Sequence, residues 1–101
     1  MPALVKHPCV DGDVQEAVLW YLPHDPAVAI RLVDEVRFAV RSAAEDPLRF
    51  SVRFANVRRV RLPHFPHSVF FTVSRDSVLI LAVLHGAGAV ERLVQGRASG
   101  G

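Results

Sequence analysis

Apolar residues at Ala29, Val33, Val36, Val40 and Ala43 recur at alternating steps of four and three, while Arg31, Asp34, Glu35, Arg41 and Glu45 occupy the remaining surface. That period puts the apolar side chains on one stripe of a helix. Asp25 stands at the N-cap, where a carboxylate accepts from free backbone amides, and Pro26 takes the first helical position, where its missing N–H costs nothing. A shorter helix precedes it. Val14, Ala17, Val18 and Tyr21 share its face, Asp13 reads as its N-cap with Glu16 completing a capping box, and Pro23 ends the run. Together the two helices predict an antiparallel hairpin, with Trp20 and Tyr21 as packing aromatics. Positions 3–7, ALVKH, read as a short strand closed by Pro8.

After Pro47 the period shortens to two. Leu48, Phe50, Val52 and Phe54 alternate with Arg49, Ser51, Arg53 and Ala55, which suits either an edge strand or an extended loop laid on the core. In VRRVRL, at 57–62, Val60 and Leu62 share the side of Arg58, whereas Arg59 and Arg61 face the other way. HSVFFTVS and SVLILAVLH predict two strands joined by a tight turn at Arg75 and Asp76. Both are apolar on each face: Val69, Phe71 and Val73 oppose Phe70, and Val78, Ile80 and Leu84 oppose Leu79, Leu81 and Val83. One helical hairpin covers one side only. The other side requires the C-terminal segment AVERLVQGR, the arginine-bearing loop or another chain. The Gly86-Ala87-Gly88 link gives that segment little rigidity of its own.

These elements amount to an α+β domain: an N-terminal strand and an antiparallel helical hairpin packed on a mainly antiparallel sheet of three to four strands. A length of 101 residues suits one modest core, assigned to 1–97, followed by a flexible tail at 98–101. Half the residues are hydrophobic and 22% are charged, which excludes a disordered chain. Cys9 is the only cysteine, so an internal disulfide is excluded, and with no secretory pattern the expected compartment is the cytoplasm. The longest apolar run, Val78 to Leu84, is strand-sized and not membrane-spanning.

Charge sharpens the functional question. Up to Pro47 there are four basic and eight acidic residues, and from Leu48 onward eight basic and two acidic, so the halves carry −4 and +6. A basic second half suits nucleic acid or an acidic protein partner. The candidate chemistry lies in LPHFPHSVFF. His64 and His67 are three residues apart beside Pro63 and Pro66, so a strand puts them on opposite faces and a helix is barred. No compact Cys/His motif joins them with His7, Cys9, His24 or His85, and no metal is expected. No phosphate-binding glycine loop, HExxH or GxSxG occurs, and no cofactor is implied. A histidine acid/base pair backed by arginines remains chemically open.

The order of elements, and above all RLPHFPHSVFFTVSRDSVLILAVLHG, resembles the RelE/ParE superfamily of bacterial type II toxins across nearly the whole chain. Asp13 and Trp20-Tyr21 on the first helix, Asp25-Pro26 opening the second, Arg58-Arg59 on a strand and LAVLHG at 81–86 carry the likeness. Where members often have Arg-Phe-Pro-Tyr, this chain has His64-Phe65-Pro66-His67, and Ala87-Gly88 replaces the arginine that usually follows His-Gly. RelE-like members cleave ribosome-bound messenger RNA with basic residues, lysines prominent among them, yet Lys6 is the only lysine here. ParE-like members poison DNA gyrase without a nuclease constellation, and the likeness leans towards them.

The resemblance implies the toxin of a type II toxin-antitoxin module, of the kind that inhibits growth and stabilises plasmids. Its partner would be a cognate antitoxin, with operator DNA met only through that antitoxin. Gyrase inhibition by binding is the leading expectation. The alternatives are a ribosome-dependent endoribonuclease using Arg59, Arg61, His67 and His85, and a degenerate member that only binds antitoxin. Expected binding residues for target or antitoxin are Arg58, Arg59, Arg61, His64, His67 and Arg75, with an acidic amphipathic antitoxin segment covering the bare sheet face.

Overall fold

The computed structural model describes residues 3–86 and 89–100. Strand β1 (Ala3–Lys6) leads into helices α1 (Val10–Tyr21) and α2 (Pro26–Glu45), and a single 3-10 turn at Pro47–Arg49 follows. Strands β2 (Val52–Phe54), β3 (Val57–Arg61), β4 (His67–Val73) and β5 (Ser77–His85) come next, and α3 (Ala89–Gly100) closes the chain. The strands form one sheet in the order β1-β5-β4-β3-β2. Parallel pairing of β1 with β5 completes it, one strand beyond the expected range, while every other pair is antiparallel.

The second helix forms as its sequence dictates. Asp25 Oδ1 accepts from Ala27 N at 3.0 Å, a cap worth about 1 kcal/mol. Ala29, Leu32, Val36, Ala39 and Ala43 are buried beneath it. The first helix departs from expectation. It starts at Val10, and its N-cap Cys9 makes no side-chain capping bond. His7 Nδ1 instead accepts from Cys9 N at 3.1 Å just before the helix. Asp13 therefore sits inside the first turn, and the capping box with Glu16 does not form. Trp20 is 72% exposed and packs in no core.

A β-bulge decides the geometry of the central hairpin. Val73 pairs with Val78 and Phe71 with Ile80, but Phe70 pairs with Ala82, which leaves Leu81 as an extra residue. Past that point every side chain of β5 changes face. Val83 joins the core under α1 and α2, with Phe71 and Ile80. Leu84 goes to the other side, against Val57, Phe70, Leu81, Ala82 and Val94. Uninterrupted alternation predicts the reverse for Val83 and Leu84, and the single inserted residue is why it fails.

The second sheet face is covered by the chain itself. Val94 of α3 is fully buried there, contributing about 2 kcal/mol. Gly86, with φ of 112°, makes the turn off β5 before the helix, and Ala87 and Gly88 of the glycine link lie outside the described residues. Helix α3 continues to Gly100, across three of the four positions expected as tail. Between Pro47 and Phe54 both sequence readings apply in part. Only Val52–Phe54 is strand, while Phe50 sits edge-on to Phe71 with ring centroids 5.9 Å apart. Ala55, with φ of 47°, occupies the left-handed region in the two-residue turn to β3.

Candidate functional site

β1 pairs with β5 only from Ser77 to Ile80, so the far half of β5 would present an open backbone edge. Asp13 of α1 and Arg97 of α3 close it from opposite sides of the sheet. The two side chains meet in a two-pronged ion pair, Nη1 to Oδ2 at 2.6 Å and Nη2 to Oδ1 at 3.0 Å. Asp13 Oδ2 also accepts from Val83 N at 3.0 Å, and Arg97 Nη1 donates to Leu81 O at 3.0 Å. Both side chains are largely buried, at 8% and 12% exposure. The hydrogen bond to Asp13 raises Arg97 above its ordinary value, against the opposing effect of burial. The clamp thus supplies β5 with the bonds a neighbouring strand would make.

Beside this clamp the bulge brings two histidines together. His67 is directly opposite His85 in the register, with ring centroids 5.4 Å apart. A cleft of about 400 Å3 between α1 and these strand ends is lined by Glu16, Trp20, Tyr21, His67 and His85. Tyr21 stands edge-on to His67 at 6.4 Å, and His67 Nδ1 is buried with no hydrogen-bond partner among the described residues. Burial, and then His85, hold His67 below its ordinary value of 6.5. Protonation consequently favours the unfolded chain. The stability that this neutral His67 supplies is complete above about pH 6.5 and falls as pH drops below it towards the depressed folded value. Urea unfolding at pH 7.5 and pH 5.0 should show a smaller acid loss in His67→Gln than in the parent chain. Equal losses would show that His67 does not govern this dependence.

Arg59 occupies the other face. Arg59 pairs with Phe70 across the β3–β4 ladder, and Phe70 belongs to the core beneath α3. Burial, then the nearby Arg53 and Arg61, lower Arg59 from its ordinary value. Arg53, Phe54, Arg59, Phe70, Val90 and Glu91 border a hollow of about 180 Å3 there. His67 follows the two-residue period of Val69 and Phe71, on the side of α1 and α2. The sheet therefore separates the histidine pair from Arg59, Arg61 at the end of β3 borders a cavity beside α2 instead, and among the described residues no arginine lines the histidine cleft.

The other candidates are dispersed. Arg58 Nη1 donates to Phe50 O at 2.5 Å and fastens the irregular segment before β2. His64 bonds Glu35 of α2 twice, through its backbone N at 3.1 Å and its Nδ1 at 2.7 Å. Phe65 in the same loop meets Tyr21 edge-on, with centroids 5.2 Å apart. Thus the HFPH loop is pinned to both helices. Arg75 lies in the exposed β4–β5 turn, roughly 25 Å along the strand from His67. Among the described residues no group of three His, Cys, Asp or Glu side chains is placed to hold a metal ion, and no helix is long and apolar enough to cross a membrane.

Sequence reasoning missed Arg97, Arg53 and the depth of Asp13. Arg53 was legible in the alternation that also flagged Arg59 and Arg61. The clamp was not, because its partners are 84 residues apart.

Comparison with known proteins places this geometry. A family model described as ParE toxin of type II toxin-antitoxin system, parDE, matches residues 6–90. No curated protein sequence gives a significant match. A solved structure of the chromosomal ParDE TA system from P. aeruginosa aligns with a TM-score of 0.75 at 19% identity, covering 86% of this chain and 98% of that one. At that identity the likeness is one of fold.

Proposed function

Because the chain belongs to the ParE toxin family of type II toxin-antitoxin systems, we propose that it acts by binding, inhibiting DNA gyrase until its cognate antitoxin neutralises it. The family supplies the antitoxin as partner. The observation that carries the binding mode is the division of polar groups by the sheet: His67 and His85 lie on the α1 side, and Arg59 lies on the α3 side. Cleavage of a phosphodiester needs proton transfer and charge stabilisation to converge on one phosphate. A protein inhibitor needs only a complementary surface.

Expression without antitoxin should raise DNA-damage signalling while messenger RNA stays intact, and the purified chain should block supercoiling by gyrase. Rapid transcript cleavage with normal supercoiling would overturn the proposal.

The endonuclease reading keeps one supporting observation, the in-register meeting of His67 and His85. It requires His67→Ala with Arg61→Ala to abolish cleavage while antitoxin binding survives. For a degenerate member that only binds antitoxin, expression at confirmed intracellular levels would be harmless. Operator DNA enters either picture through the antitoxin, and gyrase or the ribosome would place the action in the bacterial cytoplasm.

A further inference from the structure

We infer that His67 and His85 form a binding site for a divalent transition-metal ion such as zinc, with one imidazole nitrogen from each ring as ligand and water completing the shell. The inference goes beyond the toxin reading and holds whichever target the toxin has.

Geometry carries it. The two residues face each other at the open end of the central hairpin, His67 as the first residue of β4 and His85 as the last of β5. Two imidazoles on one tetrahedral ion, at metal–nitrogen bonds of about 2.0–2.1 Å, have ring centres about 5.2 Å apart. The rings here are 5.4 Å apart and inclined at 48°. They already stand at the spacing of two ligands. His67 Nδ1 is buried without a hydrogen-bond partner among the described residues, and an ion held between the rings gives it one. His85 is exposed, which leaves its ring free to turn and the site open to an ion from solution.

The surroundings select a cation. Asp13 and Glu16 line the same cleft, and among the described residues no lysine or arginine does. Asp13 is committed to Arg97. Glu16 is exposed and makes no ion pair among the described residues, which leaves a carboxylate in the cleft to accept from a metal-bound water. Imidazole ligands suit zinc, copper and nickel, whereas magnesium and calcium prefer a shell of oxygens.

The expectation of no metal rests on compact motifs along the chain, and strand register lies outside their reach. His64, the near neighbour of His67 in sequence, is bonded to Glu35. The bulge at Leu81 gives His67 its partner on β5 instead. With two protein ligands the site exchanges its ion readily, unlike a closed structural zinc site with four. A bound ion ties the open ends of β4 and β5 together.

The test titrates Zn2+ into the full, untagged chain at pH 7.5 by calorimetry, with the histidine ring protons followed by NMR. One ion should bind per chain, at least about 100-fold more tightly than Mg2+, and the ring signals of His67 and His85 should shift. His85→Ala removes an exposed side chain and should weaken binding at least about 10-fold, with circular dichroism unchanged. His67→Gln should weaken it comparably. Cys9→Ser, which removes the exposed thiol beside His7, should alter binding less than about 3-fold. Undiminished binding in His85→Ala, loss of binding in Cys9→Ser, ring shifts confined to other histidines, or no preference over Mg2+ overturns the site.

Discussion

Replacing Arg97 by alanine is expected to destabilise the fold by about 3–5 kcal/mol, because it strands a largely buried carboxylate. Asp13 would keep its bond from Val83 N but lose both guanidinium contacts, and Leu81 O would lose its donor. Few single changes reach so far into the roughly 5–15 kcal/mol that holds a domain together. The measurement is the urea unfolding free energy at pH 7.5, accompanied by hydrogen exchange of α3. That helix should exchange faster, since it loses its tie across the edge of β5. Asp13→Ala should also destabilise, leaving Arg97 as the unpaired charge. The double variant should lose clearly less than the two single losses combined, the signature of direct coupling. A loss below about 1 kcal/mol for Arg97→Ala would place this pair among surface ion pairs and remove the clamp from the account.

The second large effect belongs to Phe71. Its side chain has no solvent exposure, lies beside the bulge where β4 pairs with Ile80, and receives the edge of Phe50. Phe71→Ala should cost about 3–5 kcal/mol through lost burial and an unfilled cavity. Phe38 has the same chemistry but is 70% exposed on α2. Phe38→Ala should stay within about 0.5 kcal/mol of the parent. Comparable losses at the two positions would contradict the packing described for the α1 and α2 face.

The local elements were the most legible part of the chain. Asp25 and Pro26 mark the start of α2 through bonds made within two residues. The β4–β5 hairpin is readable from two apolar runs and a short polar turn, closed by Ser74 N donating to Ser77 O at 2.9 Å. The alternation of Arg59 and Arg61 follows from the pleat alone. Asp13 shows the limit. Its spacing to Glu16 satisfies a capping pattern, yet the carboxylate finds stronger partners across the molecule.

The histidine pair shows the same limit in register. Continuing the pairing of Val73 with Val78 without interruption would put His67 opposite Leu84, with His85 on the other face. The extra residue at Leu81 puts His85 there instead. Nothing in the apolar run from Val78 to Leu84 reveals which residue will be skipped, because every member suits burial on either side.

The sequence by itself determined the helical hairpin, the central β-hairpin, the asymmetry of charge and the likeness to RelE/ParE toxins, all of which rest on short-range periodicity or on motifs read in order. Tertiary structure alone decided that α3 covers the second sheet face, that Asp13 and Arg97 close the free edge of β5, and that the histidines and Arg59 stand on opposite faces. Those outcomes depend on strand register and on side chains meeting from distant parts of the chain. A one-residue shift reverses a face, and a buried charge takes whichever partner the packed fold brings within reach.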